Sequence, residues 1–214
     1  GIADGDRLVV NGRLDRLGTE LYLDAPAKLS FSGTLLDLDE NPRARGTFRL
    51  AEFDGSPWVP AGRMPRLSGT IALAAGTRGL GFDGTFTSPS LPGQPLRLQG
   101  SGRYEERRVD VTSFRVWLPR IASSVTAAGA IELPAPDAPE GTLPRLELSG
   151  DWSGLRWPIA PDEEPVVTSA QGAYTIEGSL PYVFTARASV AGPAIPAVDF
   201  EAGGALDRER LTLE

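Results

Sequence analysis

Gly172-Ala-Tyr-Thr-Ile-Glu-Gly-Ser-Leu-Pro-Tyr-Val-Phe-Thr-Ala-Arg-Ala-Ser-Val190 keeps its small and apolar residues at even positions across a turn. Tyr174, Ile176, Gly178 and Leu180 fall on one side, followed by Tyr182, Phe184, Ala186, Ala188 and Val190. Thr175, Glu177, Ser179, Thr185, Arg187 and Ser189 point the other way. A period of two sends alternate side chains to opposite faces of a strand, so the stretch predicts two half-exposed strands joined at Leu180-Pro181. Two such strands cannot bury an apolar face alone and need partners of the same pattern.

Those partners fill the rest of the chain. Leu146, Leu148, Gly150 and Trp152 alternate just upstream, and Val198, Phe200, Ala202 and Leu206 downstream. Nearer the N-terminus the same reading picks out Leu8 to Leu14, Leu21 and Leu23, Leu29 to Leu35 after Pro26, and Ala44 to Leu50, broken at Asp54-Gly55-Ser56-Pro57. Leu67 to Leu73 and Leu80 to Phe86 form a hairpin across a Gly-rich turn, and Leu96 to Tyr104 reverses at Glu105-Glu106-Arg107-Arg108 into Val109 and Val111. After Thr112-Ser113 the apolar parity changes to Phe114, Val116 and Leu118, which predicts a β-bulge. Val125 to Leu133 follows, then a loop over Pro134 to Pro139, while residues 153–165, with Trp157-Pro158 and an acidic tip, read as one irregular loop.

No capped segment carries helical spacing. A loose unit, apolar-x-apolar-x-Gly-x-apolar, recurs at Leu29 to Leu35, Pro65 to Ile71, Leu96 to Tyr104 in a stretched form, Leu146 to Trp152 and Tyr174 to Leu180, without the fixed period of a solenoid. The expected fold is therefore all-β, a single continuous array of roughly fourteen strands over residues 1–214. At about 4.8 Å between strands it would be about 65 Å long and about 30 Å across. That is too long for one small barrel.

Composition narrows the function. The chain has 214 residues, 41% of them hydrophobic, which is enough for a folded protein. Its 25 glycines and 19 prolines are scattered as turn punctuation. A formal charge of -7 without a basic stripe argues against nucleic acid, whose binding draws on clustered Lys and Arg. With no Cys and no His, thiolate and imidazole metal sites, cysteine nucleophiles and Ser-His triads are excluded within these residues. Only carboxylate chemistry remains, and Glu105-Glu106 and Asp162-Glu163-Glu164 sit at turn tips beside Arg or Pro, where solvated loops are the expected reading. No enzyme, cofactor or metal site is expected. Trp58, Trp117, Trp152 and Trp157 could form a sugar platform, although packing is the simpler role; Trp117 is out of phase with its apolar neighbours and should point outward.

Two packings suit one apolar face on so many strands. One is a closed sandwich with its inner faces about 10 Å apart. The other is a single sheet curved lengthwise into a half-pipe whose apolar interior stays partly open, the inward glycines bending the strands and leaving room inside. In either case Leu29, Phe31, Phe48, Leu67, Ile71 and Phe82 should share one interior with Phe86, Leu98, Val116, Ile131 and Leu148, and with Tyr174, Ile176, Phe184, Val198 and Phe200. Arg45, Arg49, Asp83, Arg97, Arg115, Glu147, Glu177 and Arg187 should face away.

Trp152-Ser-Gly-Leu-Arg-Trp-Pro-Ile159, then Ser169-Ala-Gln-Gly-Ala-Tyr-Thr-Ile-Glu-Gly-Ser-Leu-Pro-Tyr182 and Ala191-Gly-Pro-Ala-Ile-Pro196, resembles the TamB family of AsmA-like bridge proteins of Gram-negative envelopes. Leu21 to Gly33 looks like an earlier piece of the same array; the turn at Leu180-Pro181-Tyr182 is shorter than the family's usual spacer. The resemblance implies an internal or near C-terminal segment of a longer, inner-membrane-anchored periplasmic protein folded as a β-taco. It also implies that the interior residues named above line a groove for phospholipid acyl chains. The implied partners are a TamA-like outer-membrane barrel and neighbouring β-segments of the same full-length chain, and the implied role is outer-membrane biogenesis with barrel and autotransporter assembly. A strand about 30 Å across, folded in two, gives walls of about 15 Å, half the hydrocarbon core of a bilayer and near one acyl chain. The competing expectations are a structural or adhesive extracellular β-array and a carbohydrate-binding β-sandwich.

Overall fold

The computed structural model describes residues 6–13, 15–23, 28–39, 41–53, 66–77, 79–89, 91, 94–139, 142–207 and 211–213. The expected strand end at Leu14, the break at Asp54 to Pro57, Pro26, Trp58 and Pro65 lie outside them. Fourteen strands form one open, curved sheet whose order is the order of the chain. The first half comprises β1 (Arg7–Arg13), β2 (Arg16–Leu23), β3 (Lys28–Leu36), β4 (Arg43–Phe53), β5 (Leu67–Ala75), β6 (Leu80–Thr87) and β7 (Leu96–Glu105). The second comprises β8 (Arg108–Leu118), β9 (Ser123–Glu132), β10 (Arg145–Trp157), β11 (Val167–Gly178), β12 (Tyr182–Gly192), β13 (Ile195–Leu206) and β14 (Leu211–Leu213). Every neighbouring pair is antiparallel, as the short connections between most sequential strands require. The reversal after β7 puts Glu106 at φ 51°, and β11 passes to β12 through a cis Leu180–Pro181 bond. Among the described residues the helical content is one 3₁₀ turn, Pro119–Ile121.

Register settles which side chains share a face, because residues directly opposite each other point the same way. Phe31 faces Phe48 and Phe48 faces Ile71. Ile71 faces Gly84, Gly84 faces Leu98, and Leu98 faces Val116. Val116 then faces Val125, which faces Trp152, and Leu148 faces Ile176, which faces Phe184. Alternation along each strand adds Leu29, Leu67, Phe82, Phe86, Ile131, Tyr174, Val198 and Phe200 to this apolar face. Arg45, Arg49, Asp83, Arg97, Arg115, Glu147, Glu177 and Arg187 stand on the opposite, polar face. Two sides of one sheet thus carry two chemistries from end to end.

The parity change in β8 is a bulge. Val111 faces Gly102 and Gly129, whereas Phe114 faces Gly100 and Ala127, so one residue more is spent on β8 than on either partner. Further shifts fall at Leu50/Phe53, Thr168/Gly172 and Val190/Gly192. Each extra residue bends its strand and raises the local twist, which curves a sheet of this width.

Two expectations need correction. The segment 153–165 is not one irregular loop: β10 continues through Trp157, paired with Val167, and the irregular part starts at Pro158. Gly154 takes φ 61°, so the apolar alternation is lost after Trp152 while the backbone ladder carries on. The closed sandwich also fails. Among the described residues only Leu67, Phe86, Ala130 and Tyr182 are buried hydrophobics, and no large side chain is fully enclosed. Two packed sheets would enclose a whole inner row.

Candidate apolar binding face

At most of the inward glycines aromatic rings take up the room; Gly129 meets the Glu147–Leu148 backbone instead, and Gly178 has nothing within 4 Å. Phe82 faces Gly100, Phe86 faces Gly69, Tyr174 faces Gly150, Trp152 faces Gly172 and Phe184 faces Gly204. In each case the aromatic side chain lies across its glycine, so a methyl at Gly100 would sit 2.5 Å from the Phe82 ring and one at Gly204 2.9 Å from the Phe184 ring. Phe31 lies over Gly33 and Gly46 together, with its centroid 4.6 Å from that of Phe48. A ring laid flat on a strand covers backbone that would otherwise meet water, and it projects less than a side chain standing upright. The resulting surface is shallow, continuous and aromatic-rich.

Three aromatic side chains of the apolar face, Trp152, Tyr174 and Tyr182, carry polar atoms, and the fold turns them inward to protein partners. The Trp152 indole N–H donates to Ser169 Oγ at 2.9 Å. Tyr174 donates its hydroxyl to the Thr126 carbonyl at 2.8 Å, and Tyr182 donates to the Pro144 carbonyl at 2.8 Å. Burial, and then the charge of Asp151, pushes the Tyr174 hydroxyl above its ordinary pKa; burial does the same for Tyr182. Both stay neutral at neutral pH. Satisfied tips leave the ring faces as the presented chemistry.

Charge is kept on the other side. Arg108 pairs with Asp110 at 2.7 Å, Arg145 with Glu147 at 3.2 Å and Arg187 with Glu201 at 2.8 Å. Hydroxyl pairs Ser101–Ser113, Ser124–Ser153 and Thr175–Thr185, each at 2.9 Å, continue the polar dressing. Trp117 belongs to this face, with the Arg115 guanidinium 5.2 Å above its ring, as its parity implied. Solvent and salt screen exposed pairs of this kind, so their effect is on solubility more than stability. The wide depressions also lie here: one of about 750 Å³ has Gln99, Thr126, Asp151 and Arg187 in its lining. It is a shallow trough on this face where Ala128, Ala173 and Ser149 are short.

All the groove positions named from the sequence come together on the apolar face, and Val198 and Phe200, near its far end, are its more exposed members. Leu21, Leu50, Leu73, Phe114, Val125 and Trp152 share the face by register and were left out of that set, although their parity pointed there. The two carboxylate groups do not meet. Glu105 and Glu106 lie at the far end of β7, and Asp162 to Glu164 at the opposite rim, after β10; all are exposed. Among the described residues no group of three or more carboxylates could hold a metal ion, and no helix is long and apolar enough to cross a membrane.

Comparison with known families, curated proteins and solved structures finds no match.

Proposed function

We propose that this chain is a periplasmic segment of a TamB-like bridge between the inner and outer membranes. Its apolar face conducts phospholipid acyl chains toward the outer membrane, in support of barrel and autotransporter assembly with a TamA-like barrel partner. The observation that carries the reading is a single apolar face, continuous across the whole sheet, over which no second layer packs among the described residues. Uncovered apolar surface beyond a few hundred Å² marks an interaction site in a folded protein. The hydrophobic effect is non-directional and scales with area, so a tail held by it can slide without registering on particular atoms. Burying about 200 Å² of apolar surface yields about 5 kcal/mol at about 25 cal/mol per Å². A headgroup beyond the rim would stay in water.

The test is charge placed on either face of one hairpin in the full-length protein. Ile176→Asp and Phe184→Arg should block envelope complementation, because a charge in an apolar conduit must stay desolvated or bring water with it. Glu177→Arg, one residue away on the polar face, should complement normally. Equal loss of thermal stability for the three, with no selective transport defect, would return the face to packing or adhesion.

A further inference from the structure

The chain has two asparagines, and the residues that follow them differ in the property that decides their chemistry. Asn11 precedes Gly12, and Asn41 precedes Pro42. An asparagine loses its amide when the next residue's backbone nitrogen closes a five-membered ring on the side-chain carbonyl carbon. Glycine leaves that nitrogen uncrowded because it has no Cβ, whereas proline has no N–H to give up. Asn41 is also tied down, its Oδ1 accepting from the Thr77 hydroxyl at 3.0 Å.

The fold leaves Asn11 open to this reaction. Asn11 and Gly12 are both exposed, just ahead of the turn that Arg13 and Arg16 close. Among the described residues β1 is held by β2 alone, and a strand paired on one side opens locally more readily than one paired on both. Gly12 stands at φ 123°, where L side chains rarely go, so the strand is already irregular at the attacking nitrogen. The residue paired with Asn11 is Gly18, and a methyl there would sit 2.7 Å from Asn11 Oδ1. With only hydrogen at that place, Gly18 puts nothing in the way as Asn11 turns toward Gly12.

We propose that Asn11-Gly12 is a spontaneous deamidation site at which this chain ages. Base takes the Gly12 amide proton and the nitrogen attacks Asn11 Cγ; the N–Cγ bond forms, the Cγ–Nδ2 bond breaks, and the leaving nitrogen takes up a proton and departs as ammonia. Water then opens the succinimide in one of two ways. Breaking the new N–Cγ bond leaves aspartate on an unaltered main chain. Breaking the bond from Gly12 N to the Asn11 main-chain carbonyl carbon leaves isoaspartate, whose main chain runs through Cβ and Cγ and is longer by one methylene. That extra atom ends the match of β1 with β2, so Leu8 opposite Leu21 and Val10 opposite Thr19 lose their places on the apolar face. Aspartate adds a charge and keeps the ladder.

The experiment holds the folded 214-residue chain in warm, mildly alkaline buffer and follows it by peptide mass mapping, ammonia release, isoaspartyl labelling and amide hydrogen exchange. One amide-to-acid conversion per chain should accumulate at Asn11, at a rate rising in proportion to hydroxide, while Asn41 keeps its amide. Asn11→Gln, which needs a six-membered ring, should release ammonia at least tenfold more slowly. In the isoaspartyl fraction the β1 amides should lose at least tenfold in exchange protection with those of β11 unchanged, and freshly prepared Asn11→Asp should keep β1 protected. An Asn11 amide that survives in the folded chain but is lost from the guanidinium-unfolded chain overturns the proposal, as does equal ammonia release from Asn11→Gln. Aspartate as the sole product, or isoaspartate with β1 protection intact, overturns the loss of the first strand.

Discussion

Between β3 and β6 the rings of the apolar face, among the described residues, are phenylalanines: Phe31, Phe48, Phe53, Phe82 and Phe86. Between β10 and β12 Phe184 shares the face with Trp152, Tyr174 and Tyr182. Among the described residues no ring of the first region carries a polar tip that needs a partner, so its integrity rests on rings packed against glycine and against each other. The second ties its tips across the sheet. Tyr174 on β11 reaches β9 at Thr126 over Gly150, and Tyr182 on β12 reaches Pro144, just ahead of β10. Both regions present hydrocarbon, but one does so by residue type and the other by where it sends its hydroxyl and indole groups. An apolar surface is therefore a property of the hydrogen-bond network as much as of composition.

That contrast can be broken by mutation. Phe86 is 2% exposed and lies against Gly69 and Gly84, so Phe86→Ala should lose about 3–5 kcal/mol in urea unfolding, the range for a deleted buried aromatic. A loss below about 1 kcal/mol would show that packing does not hold the first region. Gly100→Ala should cost about 1–3 kcal/mol, because its methyl meets the Phe82 ring. Gly81→Ala, on the polar face with its nearest neighbour at 3.9 Å, should be neutral or gain up to about 1 kcal/mol. Equal responses at the two glycines would contradict the ring-on-glycine contact.

The second region should respond to a single oxygen. Tyr174→Phe keeps the ring over Gly150 and removes the bond to Thr126, a loss of about 1 kcal/mol. Its pH dependence gives a sharper reading. Because burial raises the Tyr174 pKa, the folded state favours the neutral phenol. Its contribution is fully present below the unfolded value of about 10 and is lost as pH rises through the folded value. Tyr174→Phe should flatten the alkaline arm of a stability-against-pH curve, whereas Phe31→Leu in the first region should leave its slope unchanged. An identical alkaline slope in Tyr174→Phe would place the titration elsewhere.

Much of this was legible in the sequence. Period-two alternation located the strands, the parity change after Thr112-Ser113 located a bulge, and Leu180-Pro181 located a turn, since all three are local signals. What escaped was non-local or masked by one residue's conformation. Gly154 in the left-handed region hid the last residues of β10, because alternation stops there although pairing does not. The apposition of Phe82 with Gly100, or of Phe184 with Gly204, depends on register between strands, which a run of alternating residues leaves open. The Gln94 side chain donates to the Ile159 carbonyl across a wide sequence gap that no local pattern signals.

The central claim is that one face of this sheet carries acyl chains, and the hairpin of β11 and β12 tests it most directly. Tyr174 and Ile176 stand on the apolar face opposite Ala186 and Phe184, while Thr175 bonds Thr185 on the polar face and Glu177 is exposed beside them. A photo-crosslinking residue placed in turn at positions 174, 175, 176 and 177 of the full-length protein, in cells, compares sites that share one backbone environment and differ in face. The account predicts phospholipid captured at 174 and 176 and little at 175 and 177. Capture no greater at 174 and 176 than at 175 and 177 would contradict it.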